Sequence, residues 1–281
     1  MPKIRIKERP IYYFIPALIV LTILAVYPIL NNVSLSLTNK SGAFSLANYQ
    51  RLFKDKWFWN AMLNTGKWAL FTVSMEMVVG MTMAFLMNMR LKGQSLFRSL
   101  LIIPWMTPVI AICAVWKWMY NNDFGILTYA INTAFGTHLT FLSDYNIALY
   151  CLGIIYVWKR APFIMLMYLS GMQSISEDVY EAAELDKRLT QITLPLLFPI
   201  IRSLMLISLI SSFNQFTIVH TITGGGPARS TMVIQNYIYN NGIAANNFNF
   251  GAAASTAFLV IIVVLALIYI TATEKAEEGI Y

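Results

Sequence analysis

The residues in this sequence with the most chemical capacity sit where charge and polarity are least welcome. Lys159-Arg160, followed by Ala161-Pro162, falls about halfway along an apolar run from Ile147 to Leu169, and Glu76 stands alone near the middle of another, Trp68 to Met87. Asn214-Gln215, flanked by Phe213 and Phe216, lies in the outer half of a third, Leu196 to Val219. A charge at membrane depth is costly, so an intramembrane base is a functional candidate by default. Amides and carboxylates beside aromatic rings are how hydroxyl-rich solutes are held. The chemistry on offer is therefore binding and passage, not covalent catalysis. Two uses stay open for each feature. Glu76 can pair with Lys159 or Arg160 between helices or meet solute, and Asn214 and Gln215 can bond between helices or to solute. Pro162 also lacks the amide hydrogen that would serve the carbonyl of Trp158.

These residues need elements to hold them, and composition says which kind. Of 281 residues, 58% are hydrophobic and 12% charged, about half the charged share of a soluble domain. Spanning about 30 Å of hydrocarbon takes ~20 apolar residues as a helix, and each span must satisfy its own backbone. The expected fold is an all-α integral membrane protein, a single transmembrane domain over residues 1–281. Six runs are read as spans, at about 11–30, 68–87, 100–119, 147–169, 196–219 and 251–270. The alternation of an outer-membrane barrel is absent.

The first run follows a basic head (Lys3, Arg5, Lys7, Arg9) and is too long for a signal-peptide core, so it reads as a retained span. Residues 38–60 read as a polar connector whose Trp57, Phe58 and Trp59 suit a membrane interface. Pro104 and Pro108 are expected to kink the third span or mark its first turns. With the N-terminus inside, inner segments hold eleven bases and outer segments five, so both termini are expected in the cytoplasm.

One segment cannot enter hydrocarbon. Glu177, Asp178, Glu181, Glu184 and Asp186 precede Lys187 and Arg188, an order that complements a helix dipole, with Ser176 as N-cap. A helix over about 177–190 is expected on the cytoplasmic side, either as a solvated connector or as a docking element.

Several classes fall away. The net charge of +7 is scattered along the ends of apolar runs and forms no stripe for nucleic acid. Cys113 and Cys151 lie in or at the end of apolar runs and read as small buried hydrophobes. With His138 and His220 they form no metal-ligand spacing. Gly66-Lys67 is followed by Trp68 and lacks the upstream glycine of a phosphate loop. The turn Thr223-Gly224-Gly225-Gly226-Pro227 joins no strand to a helix, so it is no nucleotide cradle; on the residues alone it reads as a flexible external turn.

Glu181-Ala182-Ala183, then Asp186, then Ile192-Thr193-Leu194-Pro195 resembles the EAA loop of binding-protein-dependent ABC importer permeases, the maltose-type sugar permeases in particular. The likeness continues in SLANYQRLF, FRSLLIIPWMTP, SGMQSISEDVYEAAELD and TGGGPARST, and so covers most of the chain. One departure stands out: the family usually has glycine after the aspartate and about ten residues before the isoleucine, whereas Lys187 follows here and five residues intervene.

The resemblance implies a six-transmembrane-helix type I permease bundle in the bacterial cytoplasmic membrane. It implies that Glu181, Ala182, Ala183 and Asp186 engage a separate ATPase, which carries ATP and Mg. The other implied partners are a second, heterodimeric permease subunit, two ATPase subunits in all, and an external binding protein met by Gly224, Gly225, Gly226 and Pro227. The substrate path it implies takes in Arg160, Phe163, Ser212, Asn214 and Gln215, with Glu76 added from its place in the second run. The solute is then a sugar, oligosaccharide or derivative, with a glycerol phosphate or anionic oligouronate as alternatives. A secondary transporter is more distant, because it would usually show more spans and internal repeats. A channel would need a filter or a ring of like charges.

Overall fold

The computed structural model describes residues 11–39, 41–89, 92–176 and 193–278. Helices α1 (Ile11–Leu21) and α2 (Tyr27–Ser36) are joined by a π-helical turn, Thr22–Val26. Then come α3 (Ala47–Lys54), α4 (Lys56–Asn88), α5 (Gln94–Met106), α6 (Val109–Met119), α7 (Ile126–Phe135) and α8 (Ala148–Gln173). Beyond the charged segment lie α9 (Leu194–Phe213), α10 (Thr217–Ile222), α11 (Ile234–Ile238) and α12 (Phe248–Glu278). Among the described residues no strand forms beyond the isolated bridge between Thr38 and Phe44.

Among the described residues, five stretches are long and apolar enough to cross a membrane, and the pair α5 and α6, bent by 94°, makes a sixth if it counts as one span. Local chemistry explains the bend. Pro108 has no amide hydrogen and pushes the residue before it out of the helical region, and Thr107 is extended at φ −70°, ψ 135°. Pro104, by contrast, is carried inside α5. Pro162 is likewise carried inside an unbroken α8. The fifth run is interrupted at residues 214–216, between α9 and α10.

Residues 38–60 are not a simple connector. They hold α3 and the first turn of α4, which begins at Lys56, well before its apolar run. Phe58 is not an interface residue: it is fully buried, edge-on to Tyr237 at 5.9 Å between ring centres. Trp59 stays half exposed.

Contacts divide the chain into two compact units, the boundary falling within α12. One comprises the N-terminal part to Asp55 with Ile238–Ile261. Its α1 and α2 expose apolar side chains on almost every position from Tyr13 to Leu30, which suits lipid as the solvent. Polar hooks fix the end of α2 to the start of α12. Asn32 donates to Ser255 and Thr256 at 3.1 and 3.0 Å, and Asn249 donates to Thr38 Oγ1 at 2.9 Å.

The other unit, Lys56–Tyr237 with the chain from Ile262, is built on α4 packed along α8. Glycine permits the approach: a Cβ on Gly80 would lie 2.6 Å from Ile164, and one on Gly153 2.7 Å from Phe71. Trp68, Leu152, Ile155 and Val219 fill one core cluster, and Met77, Ile164, Met165 and Leu204 another. Cys113 and Cys151 are buried free thiols in the first.

Candidate functional site

The site is organised by α4, which carries a ridge at every fourth residue: Asn60, Asn64, Trp68, Thr72, Glu76 and Gly80. Such a ridge winds slowly round a helix and is a natural packing surface. Glu76 at its centre has no solvent exposure. Its partner is Arg160 on α8, with Nε 3.5 Å from Oε2. Ser208 of α9, itself fully buried, faces the same carboxylate. The Arg160 side chain is 19% exposed, with Nε and Nη2 buried, and its guanidinium lies over the rings of Phe163 and Tyr156, 5.4 and 5.9 Å from their centres. Of the two readings of Glu76, the structure carries the interhelical pair.

Lys159 takes a different partner. Its Nζ donates to the carbonyls of Thr107 at 2.8 Å and Trp105 at 3.1 Å, at the break between α5 and α6. Trp105 also packs on Phe163, with ring centres 5.7 Å apart.

On α9, Ser212 is buried and hydrogen-bonded to Thr72 at 2.8 Å, a bond between helices. Asn214 ends α9: it donates to its own helix at Ile210 O, 2.9 Å, and accepts from Gln235 at 3.4 Å. Gln215 is half-buried, and among the described residues its Nε2 has no partner. A buried amide donor left unmade is expensive, so Gln215 Nε2 has spare capacity that no described residue takes up. Phe216, the aromatic that follows, stacks on His220 at 4.6 Å.

The glycine-rich turn is tightly bonded, not slack. Gly224 and Gly225 adopt φ of 62° and 96°, which side chains disfavour. Thr231 donates to Gly226 O at 2.6 Å and bonds Thr223 at 2.8 Å. Asn60 and Asn64 each donate to Arg229 O at 3.2 Å, and the Arg229 guanidinium lies over Trp57 at 4.2 Å. The asparagines escaped the sequence reading, though their spacing on the α4 ridge was the available signal. The residues expected to dock, Glu181, Ala182, Ala183 and Asp186, lie outside the described residues.

An intramembrane ion pair, a broken span at membrane depth and an amide with spare capacity fit a solute path through a helical bundle. Comparison with known proteins decides the family. Residues 76–275 match the binding-protein-dependent transport system inner membrane component. The chain belongs to this family. As an inner membrane component it is a multi-pass transport protein and not an enzyme. It is 30% identical to the trehalose/maltose transport system permease protein MalF of Thermococcus litoralis, over 95% of both chains. It is also 30% identical to the sulfoquinovosyl glycerol transport system permease protein SmoG of Agrobacterium fabrum, over 91% of this chain and 87% of that one. The inner membrane component shares its fold with a chain of a bacterial alginate ABC transporter solved with an alginate pentasaccharide-bound periplasmic protein. That match has a TM-score of 0.82, 19% identity and 92% coverage of each chain.

Proposed function

We propose that this chain is the permease subunit of an ATP-driven importer for a sugar, oligosaccharide or sugar derivative. The observation that carries the reading is the end-to-end likeness to a trehalose/maltose permease, over 95% of both chains. The path runs past Arg160 and Phe163 on α8 and past Gln215 at the break between α9 and α10, with Asn214 shaping that break. Gln215 offers a directed amide hydrogen, and the rings of Phe163 and Phe216 offer apolar faces for sugar C–H groups.

Both termini lie in the cytoplasm, as the excess of bases on that side favours. ATP and Mg are bound by two separate ATPase subunits, which take up the segment with Glu181, Ala182, Ala183 and Asp186. A second permease subunit completes the path, and Gly224 to Pro227 face the external binding protein. ATP-driven closure of the ATPases moves the docking segment and tilts the bundle, so that solute passes from the binding protein onto the path past Arg160 and Gln215.

Purification of the tagged chain with its co-expressed neighbours, followed by reconstitution into vesicles, tests this. The expected result is co-purification of a protein with a phosphate loop, and sugar uptake that needs ATP and loaded binding protein. Uptake driven by a proton gradient without ATP overturns the proposal in favour of a secondary transporter.

A further inference from the structure

We infer that Lys159 is a positioning residue for transport, tying the break in the third span to α8 by capping the carbonyl end of α5. The break creates the need. Helix α5 stops at Met106, Thr107 is extended, and α6 restarts at Val109 after a 94° bend. The last carbonyls of a helix have no partner in the helix itself, and at membrane depth there is little water to replace one. Thr107 serves one of them, its amide and hydroxyl both donating to Ile103 O, at 3.1 and 2.8 Å. Lys159 serves Trp105 O and Thr107 O. Among the described residues, no backbone amide of α5 or α6 reaches these two oxygens.

The cation also sits at the negative end of the α5 dipole, so its charge is compensated without Glu76, which Arg160 already holds. Phe163, one turn along α8, adds a ring contact to Trp105. Residues 159 and 163 therefore grip the end of α5, and residue 160 grips α4. These grips matter because α8 runs in sequence through Ser174 into the proposed ATPase dock, a link that rests on the function proposed above. A displacement delivered to α8 is carried by Lys159 to the bend, and so to Trp105, which is 39% exposed.

The experiment compares Lys159→Met, which keeps the length of the stem and removes the donors, with Lys159→Arg, which keeps charge and donors. In a background with Cys113 and Cys151 replaced by Ala, spin labels at exposed Met106 and Ile154 report the spacing of α5 and α8. The wild type and Lys159→Arg are expected to give one narrow distance. Lys159→Met should broaden it, with maximal uptake falling about tenfold or more, the loss expected for charge-assisted bonds, while KM stays within about twofold. If Lys159→Met fails to accumulate, adding Pro108→Ala should restore its abundance but not its uptake, because a continuous helix supplies its own amides to the orphaned carbonyls.

Three results overturn the inference. One is an unchanged distance with normal uptake in Lys159→Met. Another is a raised KM at normal maximal rate, the mark of a direct solute contact. The last is loss of abundance that Pro108→Ala does not restore. ATP-independent uptake by the wild type would count against the proposed function alone, since the spin-label distances are read without transport.

Discussion

Arg160 of α8 meets Glu76 of α4 at 3.5 Å, joining a carboxylate with no exposure to an arginine whose side chain is 19% exposed. The pair locks the two principal helices of its unit together at the level of the proposed solute path. Removing one partner of a buried pair leaves the other uncompensated, at a cost of about 3–5 kcal/mol. Arg160→Ala is therefore expected to lower membrane abundance and thermal stability sharply, and Glu76→Gln in the same chain to recover most of both. A double-mutant cycle on melting temperature measures the coupling. Additive losses would show that the pair does not act as a unit.

Uptake in the recovered double variant separates the two uses of Arg160. If the residue only pairs with Glu76, uptake returns with abundance. If the arginine also meets solute, abundance returns and uptake does not. An acidic saccharide should then lose more than a neutral one, since charge-assisted bonds are about twice as strong as neutral ones.

Gln215 and Asn214 should part company in kinetics. An amide bond to a sugar hydroxyl is worth ~1 kcal/mol, roughly fivefold in affinity. Gln215→Ala is expected to raise KM by about that factor with abundance unchanged. Asn214→Ala should lower stability as well, because its side chain caps α9 at Ile210 O. Equal stability losses in both variants would contradict the assignment of spare capacity to Gln215.

The contact of α4 with α8 has no room at Gly80. Gly80→Ala places a Cβ 2.6 Å from Ile164 Cγ2 and 3.2 Å from the carbonyl oxygen of Ala161, and overpacking of this kind costs about 1–3 kcal/mol. Detergent melting curves should show the loss, and Ile164→Ala should relieve part of it. A fully stable Gly80→Ala would mean the helices can separate at little cost.

Orientation is open to a direct chemical test. Ser41→Cys and Ala228→Cys are expected to react with an impermeant thiol reagent in intact cells, whereas Lys7→Cys and Ser174→Cys are not. Labelling at Ser174 from outside would reverse the topology and remove the proposed dock from the ATPase side.

Coupling has its own variant. Glu181→Lys should leave the protein inserted and assembled but abolish stimulation of ATP hydrolysis by loaded binding protein. A charge-assisted contact is worth roughly 1.5–3 kcal/mol. Normal stimulation in this variant is the outcome that sinks the docking role of Glu181.

By itself the sequence determined the class of molecule and the residues worth asking about. Apolar run length is a local property, and hydrocarbon thickness turns it directly into a helical span. Glu76, Lys159, Arg160 and the amide pair were legible for the same reason, as polar groups within apolar runs. What the tertiary structure decided was their partners. Successive residues on a helix point about 100° apart, so neighbouring Lys159 and Arg160 serve different helices, one the end of α5 and the other Glu76 on α4. Nothing local in the run could say which base would face which. Phe58 and Ser212 teach the same lesson: an aromatic fit for an interface went into the core, and a hydroxyl fit for solute was taken by Thr72. Pro108 marked a bend in advance, but its 94° angle and the lysine that caps it came from packing between helices far apart in the chain.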